Sequence, residues 1–291
     1  MVHIRKADLI KIFEDTQKLY ENNETLRQAV TCSKEQQMVI DAKEKVCLNN
    51  PIFRYKDPAQ ILVSKKSSFE AAKAHKGKKV CVLNFASATS PGGGVTMGSH
   101  TQEEILCRCS TLYPCLSDST VVEKFYSKHI KALESGDMNP LYNDDCIYTP
   151  GILVFKSDSN IPVLMPEKEW YTVDVISCAA PNLRAKPSNT MNPYSGKKAA
   201  RLSSDALLDL YIKRVQRILD VAVLKREEVV ILGAFGCGAF QNPPTIVAEA
   251  MARAAEKYNH AFEIIEFAVY CTLYDLTHYD IFKKRFDVQF L

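Results

Sequence analysis

The chain has 291 residues, 46% of them apolar, with 37 basic residues against 34 acidic ones and a formal net charge of +3. That length suits one domain with an accessory segment, and the composition allows a large core. So balanced a charge does not by itself imply a nucleic-acid binder, and no apolar run approaches the roughly 18–20 residues that span a bilayer.

The N-terminal stretch "MVHIRKADLIKIFEDTQKLY" mixes charges through its apolar positions, so it does not read as a signal peptide. Leu9, Ile10, Phe13 and Leu19 share one helical face, and residues 1–50 read mostly as helix. We expect a helical N-terminal extension, 1–55, packed on a main domain, 56–291.

From residue 60 strands and helices alternate. "QILV" reads as a strand, "SFEAAKAH" as a helix capped by Ser67 or Ser68, and "KKVCVLNFA" as a buried strand. Helices are expected over 102–113 and in "DSTVVEKFYSKHIKALES", ending at Gly136. "GILVFKS" and "YTVDVISCAA" read as strands, separated by a long amphipathic helix at 203–225 from the strand "EEVVIL". A helix at "PPTIVAEAMARAAEKY", a strand at "FEIIEFAVYC" and a helix at "DLTHYDIFKKRF" close the pattern. This is an α/β layer fold with a mostly parallel or mixed buried sheet. The polar stretch 182–203 is long enough to suggest a functional loop.

Ten cysteines form no C-x-x-C pair, and several lie in apolar strands, where a reduced thiol acts as a small hydrophobe. Free thiols point to a cytoplasmic chain, or a nuclear one if eukaryotic. No cysteine or histidine spacing suggests a metal site. The lysines from Lys65 to Lys79 read as a solvated helix and turn.

Two glycine loops each follow a buried strand. "SPGGG" contains Gly92, Gly93 and Gly94; "GAFGCGAFQNPP" contains Gly233, Gly236 and Gly238. Glycines at the carboxyl ends of strands let backbone N–H groups approach an anion. Asn242 and Pro243 are placed as N-cap and N1 of the next helix, setting its N-terminus near a phosphate. Neither loop fits a P-loop or the dinucleotide fingerprint. After the first loop, Thr101-Gln102-Glu103-Glu104 matches a capping box, which is a sufficient structural reason for Glu104 taken alone. At a helix start, however, Glu103 and Glu104 can border one pocket.

The triple glycine, seven residues, then Gln102-Glu103-Glu104 resembles the GGG-x(6–8)-QEE signature of poly(ADP-ribose) glycohydrolases. "NFAS" and "GAFGCGAFQN" are similar to the microbial-type branch of that family, and the likeness extends over most of the chain. It implies a three-layer α/β/α macrodomain with a central mixed sheet, binding ADP-ribose without cofactor or metal. By resemblance, Glu104 matches the catalytic acid and Glu103 the neighbour that holds ribose hydroxyls. Asn84 matches the distal-ribose asparagine, and Gly92, Gly93, Gly94 and Gln102 fall in the substrate-binding set. Gly236, Cys237, Gly238 and Ala239 match the diphosphate loop, and Phe240 the aromatic against ribose. Asn182 and Arg184 are read as bordering the adenosine.

The implied activity is hydrolysis of the ribose–ribose O-glycosidic bond of poly(ADP-ribose), releasing ADP-ribose, with one Glu acting as acid and then as base. The partners are the polymer or an ADP-ribosylated macromolecule, with no membrane, and the chain is expected to be a monomer. The competing readings are a mono-ADP-ribosyl hydrolase acting on protein or nucleic-acid adducts, a non-catalytic ADP-ribose reader, and a phosphate-binding enzyme of another class.

Overall fold

The computed structural model describes residues 4–46, 53–159, 161–272 and 274–287. Residues 1–3 and 47–52 of the expected N-terminal extension lie outside the described residues. Seven strands form one mixed sheet: β1 (Met38–Ile40), β2 (Gln60–Ser64), β3 (Val80–Phe85), β4 (Cys146–Val154), β5 (Tyr171–Cys178), β6 (Val229–Leu232) and β7 (Ile264–Ala268). Their order is β1-β4-β5-β3-β6-β7-β2. β5, β3, β6, β7 and β2 pair in parallel, while β4 runs antiparallel to both β5 and β1.

The ten helices of the described residues are α1 (Lys6–Asn22), α2 (Glu24–Gln36), α3 (Ser68–Ala74), α4 (Gln102–Cys109), α5 (Leu112–Leu116), α6 (Ser119–Val121), α7 (Lys128–Ser135), α8 (Ser204–Leu224), α9 (Pro244–Lys257) and α10 (Thr277–Asp287). Strand side chains alternate between two helical layers, as a period of two requires. Cys81 and Leu83 of β3 join the core under α8, α9 and α10. Val80 and Val82 face the other way, toward Phe13 of α1, Phe69 of α3 and Leu106 of α4. By that alternation Asn84 faces the α4 side. Among the described residues no helix is long and apolar enough to cross a membrane.

Three expectations need correction. The chain before residue 60 holds a strand as well as helices, because β1 pairs with β4 at the sheet edge. The helix expected over 102–113 stops at Cys109, where Ser110 turns to extended backbone before α5 begins. The helix expected over 118–135 is interrupted by a π-helical segment, Val122–Ser127, that buries Phe125 and Tyr126.

The lysines of the basic cluster are spent locally. Lys65 lies over the Tyr279 ring. Lys66, Lys73 and Lys78 each pair with a carboxylate, Lys79 pairs with Asp174, and Lys76 reaches the carbonyls of Lys168 and Trp170. The structure thus gives the solvated-surface reading.

Candidate active site

The site lies beyond the carboxyl ends of the neighbouring parallel strands β3 and β6. The chain leaves β3 toward the α4 layer and β6 toward the α9 layer, and the space between two such loops is the crevice where open α/β sheets bind ligands. Rings and small residues join the loops: Phe85 and Phe235 stand 5.5 Å apart, and Phe240 packs with Tyr142 near Ala88 and Ala179.

α4 opens with the capping box. Thr101 N–H donates to Glu104 Oε2 at 2.8 Å, the Thr101 hydroxyl donates to the same oxygen, and the Thr101 side chain accepts from the N3 backbone. The other Glu104 oxygen accepts the Gly94 N–H at 2.9 Å. The residue that caps α4 is thus the same one that holds the first glycine loop. Glu103, one residue earlier, turns under the first loop: Oε2 accepts Ser87 N–H at 2.7 Å and Oε1 faces Asn84 Nδ2 at 3.3 Å. Asn84 Nδ2 also donates to Ser177 on the adjoining strand.

Burial first, and then the charge of Glu104 beside it, push the Glu103 carboxyl well above its ordinary range; the Ser87 and Asn84 donors oppose the rise.

The glycines work differently from the expectation. Gly93 N–H is taken by Ser90 O and Gly94 N–H by the Glu104 carboxyl, so both donors are spent within the protein. Their value is the missing side chain. A Cβ on Gly93 would lie 2.5 Å from Glu104 Oε1 and 3.0 Å from Glu103 Oε2, so both carboxylates converge there. One on Gly92 would strike Tyr113, and one on Gly94 would strike the Ser99 hydroxyl.

In the second loop, Gly236 takes a left-handed turn at φ +80°, wedged against Ala180, Asn242 and Tyr211. Gly238 and Ala239 are exposed, and Phe240 is half-buried. Among the described residues no protein acceptor takes the N–H of Gly238, Ala239 or Phe240, which leaves a short run of donors suited to an anion. Cys237 is buried, which pushes its thiol up to about 12, so it is no nucleophile at neutral pH.

Four placements depart from the expectations. Gln102 does not present its amide to the crevice: Oε1 accepts Phe85 N–H at 2.9 Å, while Nε2 donates to Leu83 O at 2.8 Å and Ser68 Oγ at 3.0 Å. It clamps the end of β3 to the start of α4. The helix after the second loop starts one residue later than expected, with Pro243 at the N-cap. Asn242 instead stitches the loop through Pro181 O and Gly236 O. Asn182 is fully buried and ties Tyr142 OH to Pro187 O, so it holds the loop rather than facing a ligand.

Sequence reasoning missed the supports of the first loop. Ser87, inside the quoted "NFAS", donates its hydroxyl to Asn192 Oδ1 at 2.9 Å. Buried His129 joins Ala88 O through Nδ1 and Asp145 Oδ2 through Nε2, at 3.0 and 2.8 Å. Lys128 and His129 hold the Asp145 carboxyl well below the usual carboxylate range against the opposing effect of burial. Nothing in the spacing of His129 and Asp145 signals this strut. Among the described residues no cluster of three or more His, Cys, Asp or Glu side chains could hold a metal.

The fold is a macrodomain-like α/β/α sheet, with the Gly93 turn set against the carboxyls of Glu103 and Glu104 beyond the ends of β3 and β6. Residues 6–157 match the family model described as "Microbial-type PARG, catalytic domain", and the chain belongs to this family of glycohydrolases. Among solved structures it is similar to poly(ADP-ribose) glycohydrolase from Thermomonospora curvata bound to the inhibitor ADP-HPD, at 27% identity and TM-score 0.76, covering 95% of this chain and 98% of that one. It is also similar to the Deinococcus radiodurans enzyme in complex with ADP-ribose, at 26% identity and TM-score 0.72, covering 89% and 98%. No curated protein sequence matches the chain.

Proposed function

We propose that this chain hydrolyses the ribose–ribose O-glycosidic bond of poly(ADP-ribose) and releases ADP-ribose, with Glu104 as acid and then base. The observation that carries this reading is the convergence of Glu103 and Glu104 on the space left by Gly93. The solved relatives, which bind ADP-ribose or ADP-HPD, support the ligand.

In this reading the diphosphate lies on the N–H groups of Gly238, Ala239 and Phe240, and Phe240 packs against a ribose. Asn84 and Glu103 hold hydroxyls of the reacting ribose. The Glu104 carboxyl gives its proton to the leaving hydroxyl oxygen as the bond to the anomeric carbon breaks through an oxocarbenium-like state. The same carboxylate then takes a proton from the water that adds to that carbon. Binding energy from the diphosphate and adenosine holds the carbon in place.

The nine described cysteines are all free thiols, which supports a cytoplasmic setting. The test is product analysis after incubation with purified poly(ADP-ribose). ADP-ribose should accumulate; an intact polymer, with ADP-ribose still bound by the protein, would contradict the reading.

A further inference from the structure

Residues 181–204 contain five of the chain's 37 basic residues and none of its 34 acids, which leaves the rest of the chain two charges negative. Among the described residues no ion pair involves Arg184, Lys186, Lys197, Lys198 or Arg201, unlike the lysines of the 65–79 cluster. Lys186, Lys197, Lys198 and Arg201 are exposed, as is Tyr194.

The loop is fastened to the first glycine loop. Asn192 accepts from Ser87, whose N–H holds Glu103. Buried Ser195 meets Thr89 at 3.4 Å and accepts Tyr142 OH through its carbonyl. Met191 receives the Ser99 hydroxyl at 2.6 Å. Tyr194 lies between two of these anchors. The anchors fix the loop's position, yet the cations serve none of these contacts.

We propose that this loop is a second binding surface for the polymer, holding the diphosphates of units beyond the one in the crevice, with Tyr194 as a stacking face for an adenine. The inference rests on the proposed glycohydrolase reading. Each unit of the polymer carries a diphosphate, so an acid-free basic loop complements it along its length, and exposed aromatics stack bases whatever their identity. The loop's attachment to Ser87, the partner of Glu103, fastens it beside the crevice, which favours the polymer whose unit the crevice would hold over nucleic acid.

The test compares the Glu104→Gln protein, which does not consume the ligand, with the same protein carrying Lys197→Ser, Lys198→Ser and Arg201→Ser, and separately Tyr194→Ala. Calorimetry measures free ADP-ribose, and fluorescence anisotropy measures labelled poly(ADP-ribose) from low to high salt. ADP-ribose affinity should stay within twofold. Polymer affinity should fall about tenfold or more at low salt in the triple variant, and its log–log salt slope should flatten by about 2. Tyr194→Ala should cost about tenfold on polymer alone.

Unchanged polymer affinity and slope, with ADP-ribose still bound, would overturn the inference. So would loop-dependent binding of single-stranded DNA of matched charge as tight as that of the polymer. Absence of ADP-ribose binding in both proteins would instead overturn the crevice assignment, and this inference with it.

Discussion

Gly93 and Glu104 compete for one volume: any Cβ at position 93 would lie 2.5 Å from Glu104 Oε1. Gly93 also has φ +59°, a conformation that L side chains rarely adopt. The bare turn and the acid are therefore a single device, and the turn gives Glu104 the room and the Gly94 N–H that fix it.

Gly93→Ala should displace the Glu104 carboxylate and lower kcat/KM by about 100-fold. The stability cost should be about 2–4 kcal/mol, from the left-handed backbone and the disturbed cap together. Steady-state kinetics beside urea unfolding separates the two. A variant with normal kcat/KM would show that the convergence on Gly93 has no catalytic meaning.

Gln102→Leu should act on stability before chemistry. It leaves Phe85 N–H and the buried Leu83 carbonyl without their partner, at a cost of about 2–4 kcal/mol. A lowered urea midpoint is expected, with ADP-ribose affinity changed less than tenfold. Lost affinity at full stability would instead mean that Gln102 touches the ligand.

Arg108 is fully buried and joins α1 to the first loop by donating to Leu9 O, Val95 O and Ser99 O. Thr16 returns a bond to Arg108 O at 2.7 Å. Arg108→Met should destabilise the chain by about 2–4 kcal/mol and raise hydrogen exchange in α1 and residues 92–99 together. Faster exchange in α1 alone would show that the two segments are independent.

At the far end of the sheet, burial and Asp174 push the Glu227 carboxyl up to about 9, and Tyr148 bonds both acids. In the unfolded chain the group titrates near its ordinary 4.5. The folded state therefore holds the extra proton between these values, and stability falls as pH rises from about 4.5 through 9. Glu227→Gln, neutral throughout, should remove that slope. Its Tm relative to wild type should be higher at pH 9 than at pH 5.5 by about 3 °C or more. An offset that does not change with pH would contradict the assignment.

The loop-helix unit, both glycine loops and the acid pair were legible because each is a local pattern: an apolar strand, a run without side chains, a cap. β1 was not, since three residues carry no usable period and its pairing with β4 spans more than a hundred residues of chain. The amide of Gln102 and the anchoring of Asn192 were hidden for the same reason, because tertiary neighbours decide where a polar side chain spends its hydrogen bonds. Asn242 was misread by one position, with two consecutive prolines offering two equally good helix starts. The strut of His129 and Asp145 depends on a buried geometry that no spacing announces.

The most direct measurement is single-turnover release of ADP-ribose from poly(ADP-ribose) by wild type and Glu104→Gln, with ADP-ribose affinity of both by calorimetry. Gln at this position can still accept from Thr101 in the capping box, while the transferable proton is lost. Release should fall by about 1,000-fold or more with affinity within a few-fold. A Glu104→Gln protein that folds, binds and releases ADP-ribose at the wild-type rate would contradict the account of Glu104 as the acid and base.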